Sequence, residues 1–175
     1  MNEKFRKKLP ALITCLVIIA VMVALDQWTK WAIVKNIELG GTHVVIPGFF
    51  ELTYLRNYGA AFSSMTGVSM WFFALLAIVA LVAIAYYFVK TDDTYTELSL
   101  ALIAAGAIGN LIDRVWLGYV RDFFRFYIFG SPFAVFNVAD VCLTVGVILL
   151  FVVVFRDEWK EWRATHGKNK TESEA

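Results

Sequence analysis

The stretch VFNVADVCLTVGVILLFVVVF, residues 135–155, decides the fold of this chain. It is apolar almost throughout, and at a rise of about 1.5 Å per residue it forms a helix about 31 Å long. A helix of that length crosses the hydrocarbon core of a bilayer, which is about 30 Å thick. We therefore predict a membrane-spanning helix over about residues 135–156. Its first turns carry two polar side chains, Asn137 and Asp140, that need an explanation.

Three further apolar runs predict membrane-spanning helices over about residues 10–27, 68–89 and 98–116. The first run follows a basic segment, as in a cleavable signal peptide, but no small-x-small cleavage site follows it, so we expect an uncleaved helix. The third run is apolar only as far as Ile112, about 22 Å of helix, so its end must draw Asn110 into the membrane or its interface. The chain is 59% hydrophobic and 18% charged, with a mean hydropathy of +0.65, which is more apolar than a soluble domain. The predicted fold class is all-α and integral to the membrane, with four transmembrane helices.

The segment between the first two helices, about residues 40–66, has a different pattern. Short β-prone stretches are bounded there by Gly-Gly and Pro-Gly, which predicts a small extramembrane β-rich cradle. We expect one membrane-embedded domain over residues 1–175, with a short linker at 117–134 and a charged tail at 157–175. If both termini are cytoplasmic, ten Lys and Arg residues lie inside and six outside. The positive-inside rule therefore favours cytoplasmic termini and a cytoplasmic tail.

Several kinds of site are disfavoured by what the chain contains. Cys15 and Cys142 lie in apolar runs without a Cys-x-x-Cys partner or a neighbouring His, as buried structural cysteines do. The lack of a ligand cluster argues against a metal site, and no motif indicates a cofactor. With a net charge of +1 and no basic stripe, the chain gives no sign of a nucleic-acid partner.

The predicted topology brings the candidate polar residues, from three helices and from the loop after the first helix, to one side of the membrane. These residues are Asp26, Lys30, Asn57, Asn110, Asp113, Arg114, Asn137 and Asp140. Asp140 lies about 7 Å inside its helix, and a charge at mid-helix costs about 2.5–3.5 kcal/mol even by low estimates. Such a group faces the interior of the bundle and has a partner, for which Asp113 and Asp122 are the candidates.

Structural and functional interpretations of these residues are both open at this point. In the structural one, Asp26 and Lys30 form an i,i+4 salt bridge, Asp113 pairs with Arg114 or caps a helix, and Asp122 is a surface charge. In the functional one, two facing aspartates cannot both ionise, so one takes a proton from water while the other donates to a carbonyl oxygen. The alternatives to such a peptidase are a small proton- or ion-coupled transporter and a structural membrane subunit. A polar cluster at one face, without internal repeats, favours an interfacial enzyme.

Five short stretches add a resemblance to a known family. They are DQWTK (26–30), NYGAAF (57–62), GNLIDR (109–114), GYVRDF (118–123) and FNVAD (136–140). In this order, and on a four-helix frame, they resemble the motif set of the bacterial lipoprotein signal peptidases, also called signal peptidase II, an aspartic peptidase family. The resemblance covers roughly residues 10–156.

The resemblance implies an activity, a location and a set of site residues. Its members remove the signal peptide from prolipoproteins in the bacterial inner membrane, cutting before a cysteine that carries diacylglycerol. It implies that Asp122 and Asp140 are the catalytic pair, near the outer face of the membrane, and that no cofactor is needed. The supporting or substrate-binding residues that it implies are Asp26, Lys30, Asn57, Gly59, Asn110, Asp113, Arg114 and Asn137.

The resemblance also implies partners and a role for the segments outside the membrane. Membrane lipids and cyclic lipopeptide inhibitors of the globomycin type are the implied partners besides the prolipoprotein substrates. The cradle is expected to lie on the membrane and contact the substrate. The segment around 114–134 is expected to be a mobile cover over the site.

Overall fold

The computed structural model describes residues 3–59 and 70–172. It confirms the predicted membrane fold, because four helices are long and apolar enough to cross a bilayer. The elements in chain order are α1 (Glu3–Asn36), β1 (Thr42–Ile46), β2 (Phe50–Asn57), α2 (Met70–Lys90), α3 (Thr94–Leu117), β3 (Val120–Ile128), β4 (Ser131–Pro132) and α4 (Val138–Glu172). The predicted start of the second helix at residue 68 and the last part of the predicted cradle, residues 60–66, lie outside the described residues.

Two of the helices continue beyond the apolar runs that predicted them. α1 ends at Asn36 rather than near residue 27, and α4 ends at Glu172 rather than near residue 156. Hydropathy marks only the part of a helix that lies in hydrocarbon, whereas its backbone hydrogen bonds continue into the polar interface. The charged segment 157–172 is therefore helical.

α3 is the central helix and packs against α1, α2 and α4. Its glycines permit this contact: a Cβ on Gly106 would lie 2.3 Å from the Ala139 carbonyl oxygen, and one on Gly109 would lie 2.7 Å from Asp26 Oδ2. Only a residue without a side chain allows neighbouring helices to approach so closely. The close approach lies at the level of the polar residues, so it brings together the three helices that carry them.

An antiparallel sheet with the strand order β1-β2-β3-β4 lies where α1 and α3 end and α4 begins. We call this end of the bundle the sheet end. In the register between β2 and β3, Leu55 is opposite Asp122 and Asn57 is opposite Val120. The pairing places the side chain of Asn57 next to that of Asp122, close to the start of β3.

The prediction of a linker over residues 117–134 has to be corrected, because β3 and β4 occupy most of it. Phe124 and Phe126 of β3 pack on Phe50 of β2, with ring centroids 6.1 and 4.6 Å apart. Aromatic residues form strands when a cross-strand partner covers them, and here the partner strand comes from before α2. Most of the segment is therefore part of the cradle sheet.

The opposite end of the bundle, which we call the far end, is held by capping and ion pairs. Asp93 caps α3 by accepting a hydrogen bond of 2.8 Å from the Thr96 N–H. Arg156 Nη2 lies 2.8 Å from the other Asp93 oxygen. Lys8 Nζ lies 3.6 Å from Oε1 of the buried Glu97. These contacts join α1, α3 and α4 on the side away from the sheet.

Candidate active site

Asp122 lies on β3 and is 3% exposed. Asn57 Nδ2 donates to its Oδ2 over 2.9 Å, and Asn137 Nδ2 donates to its Oδ1 over 2.7 Å. The Gly59 N–H donates to Asn57 Oδ1 over 2.9 Å, a local turn that directs the amide nitrogen of Asn57 toward the carboxylate. Each oxygen of Asp122 therefore accepts a hydrogen bond from a neutral amide.

Asp140 lies in the first turn of α4, where it forms a reciprocal cap with Asn137. The Asn137 N–H donates to Asp140 Oδ2 over 3.1 Å, and the Asp140 N–H donates to Asn137 Oδ1 over 3.0 Å. This exchange is the capping-box pattern of a helix N-terminus. Asn110 Nδ2 of α3 donates to Asp140 Oδ1 over 2.8 Å. The cap explains how a carboxylate is accommodated here, and α3 fixes the direction in which it points.

Asn110 and Asn137 connect the two carboxylates. Asn137 Nδ2, which donates to Asp122, also lies within 3.1 Å of Asn110 Oδ1, and Asn110 in turn donates to Asp140. In the part of the chain that the structure describes, neither Asp122 nor Asp140 forms an ion pair. Burial and the negative charge of Asp140 raise the pKa of Asp122 from its ordinary value of 3.8 to about 7. Asp122 therefore exchanges a proton near neutral pH.

Asp122 and Asp140 both line a cavity of about 680 Å³, which we call the helix cavity. Asn57, Asn110 and Arg114 complete its polar end. Its walls are otherwise apolar and come mainly from α2, α3 and α4, including Leu76, Ala77, Ala80, Ala107, Leu143 and Val145. The volume is within the range of small-molecule and cofactor sites. An apolar chamber that ends at two carboxylates fits an amphipathic ligand.

A second layer of buried charges lies behind Asn110. Lys30 Nζ lies 2.8 Å from Asp26 Oδ2 and 3.5 Å from Asp113 Oδ2, and it donates to Asn110 Oδ1 over 3.1 Å. Asp26 Oδ1 accepts the Ala139 N–H over 2.9 Å. The Asp26–Lys30 pair is the i,i+4 salt bridge of the structural interpretation, but it is fully buried and ties α1 to both α3 and α4.

Asp113 pairs with Arg121 and not with its neighbour Arg114. Arg121 Nη2 lies 2.7 Å from Asp113 Oδ1, and the Arg121 backbone N–H and Nε each donate to Asp113 Oδ2 over 3.0 Å. Gln27 accepts from Arg121 Nη2 over 2.9 Å and donates to Asp113 Oδ1 over 3.2 Å. These bonds fix the backbone immediately before Asp122. Sequence analysis missed Gln27 and Arg121, although each adjoins a candidate residue within a quoted motif.

Arg114 belongs to the wall of the helix cavity. Its guanidinium lies 5.8 Å from the centre of the Phe73 ring, a cation–π distance. Its Nε is buried and has no hydrogen-bond partner in the structure of residues 3–59 and 70–172. The structure thus brings all ten predicted site residues to the sheet end, joined by hydrogen bonds or by the common cavity. No group of three or more His, Cys, Asp or Glu among the described residues has the arrangement of a metal site.

Comparison with known proteins gives consistent matches over most of the chain. The sequence model of the family described as "Signal peptidase (SPase) II" matches residues 18–156. The chain is 45% identical over 151 residues to a lipoprotein signal peptidase of Bacillus pumilus, covering 85% of this chain and 97% of that one. It is 44% identical over 162 residues to one of Enterococcus faecalis, covering 91% and 97%. A bacterial membrane enzyme solved by the in meso method at 2.3 Å superposes with a TM-score of 0.78 at 39% identity, covering 83% of this chain and 89% of the other.

Proposed function

This chain belongs to the signal peptidase II family, and from that premise we propose that it is an aspartic endopeptidase that cleaves diacylglyceryl-modified prolipoproteins immediately before the lipidated cysteine. Membership makes it a peptidase that removes signal peptides, in a bacterial membrane that its helices cross several times. One observation carries the proposed chemistry. Asp122, which is buried, and Asp140, which is half-buried, face one cavity and accept hydrogen bonds from amides, and neither forms an ion pair with another described residue.

The two aspartates divide the work of peptide hydrolysis between them. With an Asp122 pKa of about 7, the pair holds one shared proton near neutral pH. The ionised carboxylate removes a proton from a water molecule as that water attacks the scissile carbonyl carbon, and the protonated one donates to the carbonyl oxygen. The proton from water then reaches the leaving amine as the tetrahedral intermediate collapses. The step forms no covalent bond between enzyme and substrate.

The remaining site residues position the pair in this proposal. Asn137 contacts both aspartates and Asn110 contacts Asp140, so the amides set the separation of the carboxylates and their orientation. A shift of about 1 Å in such a geometry can cost about a hundredfold in rate. Lys30 stabilises Asn110 from behind without neutralising either catalytic carboxylate directly.

The helix cavity gives the proposed substrate a place of matching polarity. Acyl chains and an apolar signal peptide fit walls formed by α2 and α4, while the scissile bond lies at the polar end. Membrane lipids and cyclic lipopeptides of the globomycin type would occupy the same chamber. We place the sheet end at the outer face of the inner membrane and both termini in the cytoplasm, since ten basic residues then lie inside and six outside.

Replacement of each aspartate by asparagine tests the proposal. Asp122→Asn and Asp140→Asn keep the shape of the side chain but cannot act as a base, so each should lower turnover about a thousandfold or more. The measurement is a gel-shift assay with a purified diacylglyceryl precursor. Asp157→Asn, at an exposed carboxylate on the far part of α4, is the matched control and should retain full turnover.

Thermal unfolding in detergent separates loss of chemistry from loss of fold. Both catalytic-site variants should unfold at or above the temperature of the wild type, because each removes a negative charge from a carboxyl group that is shielded from water, fully at Asp122 and partly at Asp140. Near-normal turnover by either variant would show that the pair is not the catalytic machinery. A wild type that cleaves no lipidated precursor would instead favour a structural or transport role.

A further inference from the structure

A second cavity, of about 660 Å³, lies on the sheet side of Asp122, and we call it the sheet cavity. Its lining among the described residues comes from β2, β3, β4 and the residues that follow β4, with no contribution from a helix. Five residues line both cavities: Asn57, Asp122, Phe133, Ala134 and Val135. The two cavities therefore meet at Asp122, one reaching into the helices and the other into the sheet.

The two cavities differ in charge. Among the described residues that line the helix cavity, Arg114 is the one cation, and most of the lining beyond the polar end is apolar. The sheet cavity carries two arginines, Arg56 and Arg125, and Asp122 is the one carboxylate among the described residues that line it. Arg125 Nη1 is 3.6 Å from Glu51 Oε2, a loose ion pair, and the guanidinium of Arg56 lies 4.6 Å from the centre of the Tyr119 ring. The wall of the sheet cavity is thus net positive.

A substrate whose scissile bond lies beside Asp122 of the enzyme has to extend to both sides of that residue. On the proposed function, the part before the cleaved bond is apolar and belongs in the helix cavity. The part after the lipidated cysteine is polar and leaves the membrane, and the sheet cavity, which carries Arg56, Asn57 and Arg125 beside apolar side chains, adjoins the same carboxylate.

We propose that the sheet cavity binds the first residues of the mature polypeptide, and that Arg56 and Arg125 select acidic side chains there over basic ones. The inference rests on the proposed function and adds a substrate preference to it. Each arginine is partly exposed to water, so the two together should change kcat/KM by only about threefold for each step from Asp to Ser and from Ser to Lys. The combined preference between acidic and basic precursors should be about tenfold at low salt and smaller at high salt.

The test uses three lipidated precursors that differ only in the second and third residues after the start of the mature chain: two Asp, two Ser or two Lys. The purified full-length protein in detergent should cleave them in the order Asp, Ser, Lys, with an Asp-to-Lys ratio of kcat/KM of about ten. The Arg56→Gln, Arg125→Gln double variant should bring this ratio close to one, because it slows cleavage of the Asp precursor relative to that of the Lys precursor. Arg125→Lys, which keeps the charge, should keep most of the preference.

Lys35→Gln is the matched control, because Lys35 is an exposed cation at the sheet end that lines neither cavity. It should leave the ratio at its wild-type value. A wild-type ratio near one, or a tenfold ratio that survives in the double variant, would overturn the inference while cleavage of the Ser precursor still supports the proposed function. Failure to cleave the Ser precursor would overturn the proposed function and this inference together.

Discussion

At the far end of the bundle, Asp93 and Glu97 each face a cation, whereas at the sheet end Asp122 and Asp140 face amides and a cavity. Arg156 lies 2.8 Å from Asp93, and Lys8 lies 3.6 Å from Glu97. The donors to the sheet-end pair are the side chains of three asparagines and one backbone N–H, that of Asn137. Both ends of the bundle thus hold carboxylates, but ion pairs stabilise those of the far end, whereas hydrogen bonds from neutral groups stabilise Asp122 and Asp140.

The difference appears in the proton affinity of two aspartates. Hydrogen bonds from Arg156 and from the Thr96 N–H lower the pKa of Asp93 to about 2. Burial and the charge of Asp140 raise the pKa of Asp122 to about 7. A carboxylate that caps a helix beside an arginine stays ionised, whereas one held by amides next to another carboxylate exchanges a proton near neutral pH. Polar residues in an apolar helix therefore indicate a reactive site when they lack a counter-charge and face a cavity.

The same distinction divides the sheet end itself. Asp26 and Asp113 are fully buried but have Lys30 and Arg121 as partners. They join helices and fix the backbone before Asp122, so they support the site without lining the helix cavity. Replacing a carboxylate of this kind should lower the stability of the protein more than its turnover.

The largest effect on stability should follow from Asp113→Asn, which tests that division. The variant leaves the positive charges of Lys30 and Arg121 without this counter-charge, and breaking a buried ion pair costs about 3–5 kcal/mol. We expect a lower unfolding temperature in detergent and a lower yield of folded protein. The folded fraction, quantified by gel filtration, should still turn over a lipidated precursor at a measurable rate. A variant that is as stable as the wild type but inactive would remove the distinction between paired and unpaired aspartates.

The next effect is expected from pH, through Asp122, and it is spread over several pH units. Its pKa in the folded protein, about 7, exceeds the ordinary value of 3.8, so between these values the folded state binds a proton that the unfolded state does not. The free energy of unfolding should fall by about 1.4 kcal/mol per pH unit in this window and level off above it. Above pH 7 the pair also loses its shared proton, so kcat/KM should decline.

Thermal unfolding of the wild type and Asp122→Asn from pH 4.5 to 8.5 checks the stability part. The variant cannot ionise at this position, so its unfolding temperature should depend less on pH. The difference in unfolding temperature between the variant and the wild type should therefore grow, in favour of the variant, toward high pH. Two parallel profiles would mean that Asp122 titrates normally. The contrast with Asp93 would then disappear.

Much of this organisation can be predicted from local sequence, and the rest depends on contacts between distant segments. The four helices follow from apolar length, and Asp140 is noticeable because a carboxylate inside an apolar run is costly. Asp122 has no such signal: its burial arises when β3 pairs with β2, whose Asn57 is 65 residues away in the chain. Only the resemblance to a family marked it as catalytic.

The partner of Asp113 shows the same limit of local prediction. Its neighbour Arg114 is the obvious partner in sequence, yet the chain turns at Gly118, whose φ is 74°, and returns Arg121 to Asp113. Arg114 is then left to the wall of the helix cavity. The reversal after α3 follows from a left-handed glycine, but where the returning strand places each side chain depends on the sheet.

The smallest effect should come from the far end, where Asp93→Ala removes the cap of α3 and the partner of Arg156. Loss of an N-cap residue costs about 1 kcal/mol, and the exposed ion pair adds little to that. We expect a modest decrease in the unfolding temperature and unchanged kcat and KM on a lipidated precursor, because the described partners of the Asp93 carboxylate, Thr96 and Arg156, line neither cavity. Asp93→Asn keeps a capping side chain and should recover most of the lost stability. A large loss of turnover at unchanged stability would show that the far end is coupled to the chemistry, and the separation between a structural end and a reactive end would fail.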